Sequence, residues 1–433
     1  MLARPRHVVL RSLVVPLASP LPPALLSIMV DYRLLTNEVL QEALASGKTS
    51  RGAVSRFARD RAFVHQLTGQ HAVVAADVAL ALAKAHRRRL RQGIPSRVPY
   101  IRRLFLRTNT QTFHLDLESA KVRVSLRNGE WCSFFLNLST YHKDRLLGEG
   151  VRIKQLQVSP DRVVLFLERP APEPYQPTSL VALDTNESSV DGVTVTPEGS
   201  QLVQVPYPEI RRVQATHFVR RRKLSQKKAH DRRIARQLLR KEGERERHRV
   251  RSRLHELTTR LLDVLAHHHA ALALEDLSRM ARPRRRGKGK HGRRVSPKTR
   301  RRLSSWPRRE LHRQLEYKAV DRGVPVYWVN PFRTSVTCPR CGDITRPRSR
   351  VGPTFTCEHC GWTMDRQLNA GLNVGRTALR EIAELGGLRL DLDALSDDAM
   401  RPRYPFEESD GHGWSGGKAR DGPGDPSKGG ELQ

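Results

Sequence analysis

Cysteine is scarce, with five in 433 residues, and four of the five fall between positions 338 and 360. Such low use elsewhere argues for a reducing compartment rather than a disulfide framework. The fifth, Cys132, reads as a small core filler. Acid is also short. Lys and Arg number 78 against 44 Asp and Glu, a formal charge of +34. That excess repels itself unless a polyanion is present, which points to nucleic acid as partner. Long apolar runs are missing too. The first thirty residues open like a signal peptide, with Arg4, Arg6 and Arg11 before an uncharged stretch. Pro16, Pro20, Pro22 and Pro23 then interrupt it, so it cannot span a bilayer. A soluble intracellular protein with no membrane partner is expected. Neither tandem fingers nor a zipper repeat is present, which leaves plain duplex reading without its usual motifs.

What is present is concentrated between Cys338 and Asn373. Two C-x-x-C knuckles, Cys338/Cys341 and Cys357/Cys360, match zinc-ribbon spacing, with Gly342 and Gly361 in the tight turns. A structural Zn2+ on these four thiolates is expected. Asp365 follows at once and heads a segment with Asn369 and Asn373 at helical spacing. A knuckle that delivers a carboxylate and two amides to one helix face suggests a structural clip beside an active site.

Upstream, His7 to Leu17 reads as a strand, and helical spacing marks Ala24–Leu44, Arg56–Gln66 and His71–Leu90. The texture then changes to short alternating strands: Tyr100–Leu106, Thr112–Leu117, Lys121–Leu126, Ser133–Leu138, Arg152–Val158 and Arg162–Glu168. A small barrel or sandwich is expected, completed by the first strand and interrupted by the helices. Four prolines between 170 and 177 end that domain. Beyond them Leu180–Asp184 and Ala270–Glu275 are buried-strand patterns that each end in an acid, and Gly192–Thr196 is a second strand. A long basic helix pair suited to tracking phosphates is expected over Glu209–Ala270, with a break near Lys241–Gly243. Arg282–Arg302 reads as a flexible basic loop. A helix over Trp306–Arg322 and a strand over Val324–Val329 follow.

Asp184, Glu275 and Asp365 each sit at the rim of an apolar element. Three converging carboxylates suit two hard divalent cations about 3.5–4 Å apart, the arrangement that cleaves phosphodiesters. Mg2+ fits best and Mn2+ is the natural substitute. Strand-Asp, strand-Glu, helix-Asp on an α/β core is what an RNase H-like nuclease requires. Position alone leaves rivals open: Asp276 beside Glu275, and Glu187 and Asp191 near Asp184.

Four segments carry a resemblance: Ala182-Leu-Asp184-Thr-Asn-Glu-Ser-Ser-Val, Leu274-Glu275-Asp276-Leu277, Asn330-Pro-Phe-Arg-Thr334-Ser335 and Asp365-Arg-Gln-Leu-Asn369-Ala-Gly-Leu-Asn373. With the ribbon, they are similar in order and spacing to the TnpB (OrfB) family of insertion-sequence proteins, relatives of type V CRISPR effectors. The match is specific from about Leu180 to Arg376. It is weaker at Tyr32-Arg33-Leu-Leu-Thr-Asn37, which resembles the family's first recognition helix. The resemblance implies an α/β RNase H-like (RuvC) core with an inserted zinc ribbon, plus a small N-terminal β-barrel carrying a helical bundle. The expected domains are 1–23, the first strand of the wedge-like barrel; 24–94, inserted helices; 95–170, the rest of the barrel; and 171–178, linker. The nuclease core with basic helices takes 179–337, the ribbon 338–361, the last core segment 362–385 and a disordered tail 386–433.

By that resemblance Asp184, Glu275 and Asp365 are the catalytic acids holding two Mg2+ (or Mn2+), and Cys338, Cys341, Cys357 and Cys360 hold Zn2+. The implied activity is RNA-guided DNA cleavage for a transposable element. A guide RNA from the element's end would choose double-stranded target DNA beside a short adjacent motif. A cytoplasmic, nucleoid-associated prokaryotic setting follows. Two departures stand out: Thr-Asn-Glu follows Asp184 where a Gly-containing turn is commoner, and Gln367 replaces a second acid. The alternatives are a non-cutting RNA-guided regulator and a transposase that acts directly on DNA. His267, His268 and His269 form a run at a helix-to-strand junction and read as solvated or phosphate-contacting rather than as a metal site.

Overall fold

The computed structural model describes residues 8–48, 50–127, 129–227, 231, 233–277, 296–345, 353–395 and 402–406. The chain forms two compact units, Arg6–Ala171 and one built on Pro172–Gln433.

The first unit begins with β1 (Val8–Pro16) and three helices, α1 (Pro23–Ala45), α2 (Arg51–Val64) and α3 (Gly69–Arg91). The apolar positions expected on α1 are buried: Leu25, Ile28, Met29, Tyr32, Leu35, Val39 and Leu40 are at most 1% exposed. Next come β2 (Leu106–Asn109), β3 (Phe113–Asp116), β4 (Lys121–Ser125), β5 (Trp131–Phe135), α4 (Thr140–Leu146), β6 (Arg152–Ser159) and β7 (Arg162–Pro170). Strands β1-β7-β6-β2 form one antiparallel sheet and β3-β4-β5 another, linked by a bridge between Leu17 and Leu136. Helices and both sheets share one apolar core, and Cys132 packs against it.

Expectation and structure part at several points here. Tyr100–Phe105 is not strand, because the Asn37 side chain supplies the pairing a neighbour would. Its amide donates to the Ile101 carbonyl at 3.0 Å, and its oxygen accepts the Ile101 N–H at 2.8 Å. The fifth strand starts at Trp131 instead of Ser133, because the hairpin after β4 closes at Leu126 and Glu130. Helix α4 was hidden by its shortness; Ser139 and His142 close a reciprocal cap at its start.

The second unit is a five-stranded sheet of β8 (Ser179–Thr185), β9 (Ser189–Thr196), β10 (Gly199–Pro206), β11 (Ala270–Glu275) and β12 (Val326–Val329), in the order β10-β9-β8-β11-β12. Strands β8, β11 and β12 are parallel, whereas β9 runs against both β8 and β10. Helices α5 (Pro208–Gln226) and α6 (Leu239–His267) lie between β10 and β11, and α7 (Pro297–Ser305) and α8 (Arg308–Val320) precede β12. The hairpin β13 (Thr354–Thr356) and β14 (Thr363–Asp365) leads into α9 (Arg366–Glu381).

Alternation along the strands sorts side chains into two layers. Leu180, Ala182, Val193, Ala271 and Ala273 join the core under α9. Val181, Leu183, Leu272 and Leu274 join the core shared with α6 and α8.

The helical break lies between α5 and a π-helical turn at Ile234–Leu238, and Gly243 sits inside α6. Strand β10 went unrecognised because Gly199-Ser-Gln opens it without apolar alternation. Of the basic loop expected over Arg282–Arg302, Pro297–Ser305 is helical, and positions 282–295 lie outside the described residues. The expectation of a disordered tail fails at two places. Leu395 is buried, and Arg403 pairs with the edge of β10, donating to the Leu202 carbonyl and accepting from the Gln204 N–H. Phe406 stacks on His268 at 4.1 Å. Residues 396–401 and 407–433 lie outside the described set.

Candidate active site and metal centre

The four cysteines converge. All four sulfurs lie within 4.8 Å of one another, with Cys338–Cys360 and Cys341–Cys357 each at 3.6 Å. Zinc–sulfur bonds of about 2.3 Å in a tetrahedron place sulfurs about 3.8 Å apart, so the donor set fits that ion. Each knuckle closes alike: the Gly342 N–H reaches the Cys338 carbonyl and the Gly361 N–H the Cys357 carbonyl. Both glycines have positive φ, +79° and +72°, which favours glycine there. The Trp362 N–H holds the Cys360 thiol down to about 7, whereas burial pushes Cys338 up to about 12. Among the described residues this is the one group of three or more His, Cys, Asp or Glu ligands so gathered.

The hairpin passes directly into Asp365, the last residue of β14 and the N-cap of α9. Its carboxylate accepts from the N–H groups of Gln367 at 2.7 Å and Leu368 at 3.2 Å. Further along α9, Asn373 donates to the carbonyls of Thr334 at 2.9 Å and Thr337 at 2.8 Å, and Asn369 donates to Thr337 at 3.1 Å. Both amides therefore clip the loop that enters the ribbon.

Asp184 and Glu275 end adjacent parallel strands, with the parity of the residues facing α9. Their carboxyls lie against each other. Burial, then the charges of Glu275 and Asp191, pushes Asp184 well above the usual carboxylate range. Burial likewise raises Glu275, whose Oε1 accepts the Thr334 hydroxyl. Asp184, Glu275 and Asp365 do not form a group whose ligand oxygens all lie within 4.8 Å of one another.

Sequence reading left Asp191 as a rival, but the structure makes it a neighbour. It faces Asp184 directly across β8 and β9, is fully buried, and feels the charge of Asp365. Opposite parity sends Thr185 to the other layer, where its hydroxyl meets His312 Nε2 at 2.9 Å. Burial holds His312 down to about 4, hence neutral. The Asn186 carbonyl accepts from Trp306 Nε1 at 2.9 Å and from the Tyr207 hydroxyl. His312, Trp306 and Tyr207 were missed because contacts so distant in sequence leave no local pattern. Of the other rivals, Glu187 pairs with Arg302 at 2.8 Å.

Helices α5 and α6 are joined by a buried pair, His217 Nδ1 to Glu242 Oε1 at 2.7 Å. Arg211, Arg212, Arg222, Arg247 and Arg249 stand exposed on them, and no ion pair among the described residues engages these five. His267, His268 and His269 are exposed at the α6–β11 junction. Among the described residues no helix is long and apolar enough to cross a membrane.

Comparison with known proteins adds independent findings. Residues 309–374, from α8 into α9, match the family model described as Cas12f1-like, TNB domain. The TnpB-like protein MJ0751 of Methanocaldococcus jannaschii is 23% identical over 262 residues, covering 59% of this chain and 90% of that protein. The CRISPR-associated endodeoxyribonuclease Cas12f1 of an uncultured archaeon is 30% identical over 86 residues, 18% of this chain and 16% of that one. Among solved structures, Cas12f1 from its complex with sgRNA and target DNA superposes with a TM-score of 0.51, at 13% identity, over 85% of this chain and 99% of its own. The mini-RNA-guided endonuclease CRISPR-Cas_phi3 gives 0.52 at 11% identity, over 86% and 93%. At such identities these two likenesses concern the fold.

Proposed function

We propose that this chain, a relative of the TnpB-like proteins and of Cas12f1-type effectors, is the RNA-guided DNA endonuclease of a transposable element. One observation carries the reading. In a chain of charge +34, Asp184, Glu275 and Asp365 form no ion pair with any Lys or Arg among the described residues. Two acids at one sheet end and a third capping the helix that packs on that sheet, all without counter-charge amid so many bases, suit a site for divalent cations. The mixed sheet, antiparallel at β10-β9-β8 and parallel through β11 and β12, suits an RNase H-like (RuvC) core.

In this reading Asp184, Glu275 and Asp365 hold two Mg2+, with Mn2+ able to substitute, and the four ribbon cysteines hold one Zn2+. Bound divalent ions supply an activated water and a stabilised leaving oxygen for phosphodiester cleavage. The chain's own residues set the frame. Thr334 fixes the Glu275 carboxyl, and the ribbon hairpin and α9 cap fix Asp365. The free arginines of α5 and α6 track phosphates. A guide RNA from the element's end pairs with double-stranded DNA, and the first unit grips RNA and reads a short adjacent motif.

The test is purification with bound nucleic acid, sequencing of the RNA, and Mg2+-dependent cleavage of a matched plasmid, with Asp184→Ala as control. Discrete RNA with cutting that the variant abolishes is the expected result. Absence of bound RNA would sink the guided reading and return the chain to a basic nuclease or transposase. A second reading, a non-cutting RNA-guided regulator, rests on Gln367, which stands where the resemblance implies a second acid. Target binding without cutting would select it.

A further inference from the structure

Asp191 is fully buried, yet each of its oxygens is satisfied by a neutral donor. Oδ2 accepts from Asn186 Nδ2 at 2.7 Å and from the Ser189 hydroxyl at 2.6 Å, and Oδ1 accepts from Gln204 Nε2 at 2.6 Å. No Lys or Arg pairs with it among the described residues. Three donors occupy most of the roughly four lone-pair directions of a carboxylate. Asp191 is therefore not built as a direct metal ligand. It is built to stay in place beside Asp184, its partner across the strand pair, and burial holds its carboxyl above the usual carboxylate range.

Asn186 joins the two acids. It sits in the turn after Asp184, donates to Asp191, and faces the Asp184 carboxyl. The same residue's backbone is pinned from the opposite layer by Trp306 and Tyr207, and its N–H donates to the Ser189 carbonyl at 2.9 Å. The Thr-Asn-Glu turn thus departs from a Gly-containing one in a compensated way. What it loses in backbone freedom it gains as a side-chain strut between two carboxyls.

We propose that Asp191 is a fourth acid of this site, a positioning residue that orients Asp184 through Asn186 and stands a further carboxyl beside the place where a divalent cation binds. The assignment rests on the nuclease reading. Its physical content is twofold. A second buried acid beside Asp184 makes the fully ionised, metal-free site unfavourable, so a cation that neutralises both relieves more repulsion on binding. The Asn186 strut limits the rotamers of Asp184, so less freedom is lost when a cation is held.

The experiment uses the full chain, and Mn2+ titration by calorimetry as a readout independent of cleavage. D191N removes the charge but keeps size; N186A removes the strut from a half-buried position and serves if D191N does not fold. Each variant is expected to weaken Mn2+ binding about tenfold, and to raise the Mg2+ needed for half-maximal cleavage by a similar factor. The double variant should bind no worse than about the weaker single, because both changes break one link. Binding within about twofold of the parent by both single variants overturns the assignment, as do additive losses in the double. If the parent chain takes up no Mn2+, the nuclease reading falls and this assignment with it, an outcome distinct from the other two.

Discussion

A methyl group built on Gly371 would lie 2.3 Å from the Cα of Gly192 and 2.4 Å from the carbonyl oxygen of Asp191. Helix α9 therefore rests backbone to backbone on β9, and that contact sets the height of the helix that Asp365 caps. Gly371→Ala is expected to cost about 1–3 kcal/mol and to lower the melting temperature by several degrees, read by thermal denaturation. An unchanged melting curve would show that the approach has slack.

The ribbon offers a spectroscopic test. One Zn2+ per chain is expected by elemental analysis, and Co2+ in its place should give the absorption bands of tetrahedral thiolate ligation. Cys341→Ser should remove those bands and make residues 353–365 susceptible to protease. Persistence of the Co2+ bands in that variant would be inconsistent with a four-cysteine site.

Thr334 donates its hydroxyl to Glu275 from the loop that Asn373 clips. A hydrogen bond to a charged group is worth about 1.5–3 kcal/mol, so Thr334→Val should slow cleavage at least tenfold. Thr334→Ser, which retains the hydroxyl, should restore most of the rate. Equal rates for all three proteins would remove Thr334 from the site.

Raised carboxyls make a directional statement about pH. Asp184 and Glu275 both titrate above their ordinary range in the folded chain. Their protonated forms thus favour folding below about pH 4, and this contribution is lost as pH rises through the folded values. In Mg2+-free buffer at neutral pH, Asp184→Asn should melt higher than the parent, and the gap should narrow toward pH 4. Saturating Mg2+ should reverse the order. A gap independent of pH and metal would mean that burial and the neighbouring acids do not hold Asp184 above its ordinary range.

For the basic helices the observable is salt. Replacing Arg211, Arg212, Arg222, Arg247 and Arg249 with Ala should flatten the plot of log affinity against log salt by roughly 0.7–0.9 per phosphate contact removed. Filter binding at several salt concentrations reads it. An unaltered slope would place the nucleic acid elsewhere.

Sequence patterns revealed α1, β8, β11 and the cysteine knuckles because each obeys a short-range rule: helical period, unbroken burial or ligand spacing. Asp184 and Glu275 were legible for the same reason, as acids closing apolar runs. Residues whose role depends on a distant partner stayed hidden. Asn37 replaces a strand neighbour for Ile101, 64 positions away, and His312 meets Thr185 across 127. Asp191 could be seen as an acid but not as a partner, since the strand pair that sets it opposite Asp184 requires β9 to begin at Ser189, earlier than Gly192. The candidate site was thus half legible: the proposed acids could be picked out by position, and the residues that touch them only through the sheet.

Glu275 and Asp276 are chemically near twins and adjacent in the chain, yet a strand's alternation sends them to opposite sides of the sheet. One has the parity of Ala271 and Ala273 under α9 and accepts from Thr334; the other acts on His312. The centre therefore has a reading frame. Loss of a single apolar residue within Ala270–Leu274 would bring Asp276 into the place of Glu275 and carry Glu275 into the other layer with no change in net charge, and a gained residue would put Leu274 there instead. At this strand conservative substitution is the milder injury, and a frame slip of one is the severe one.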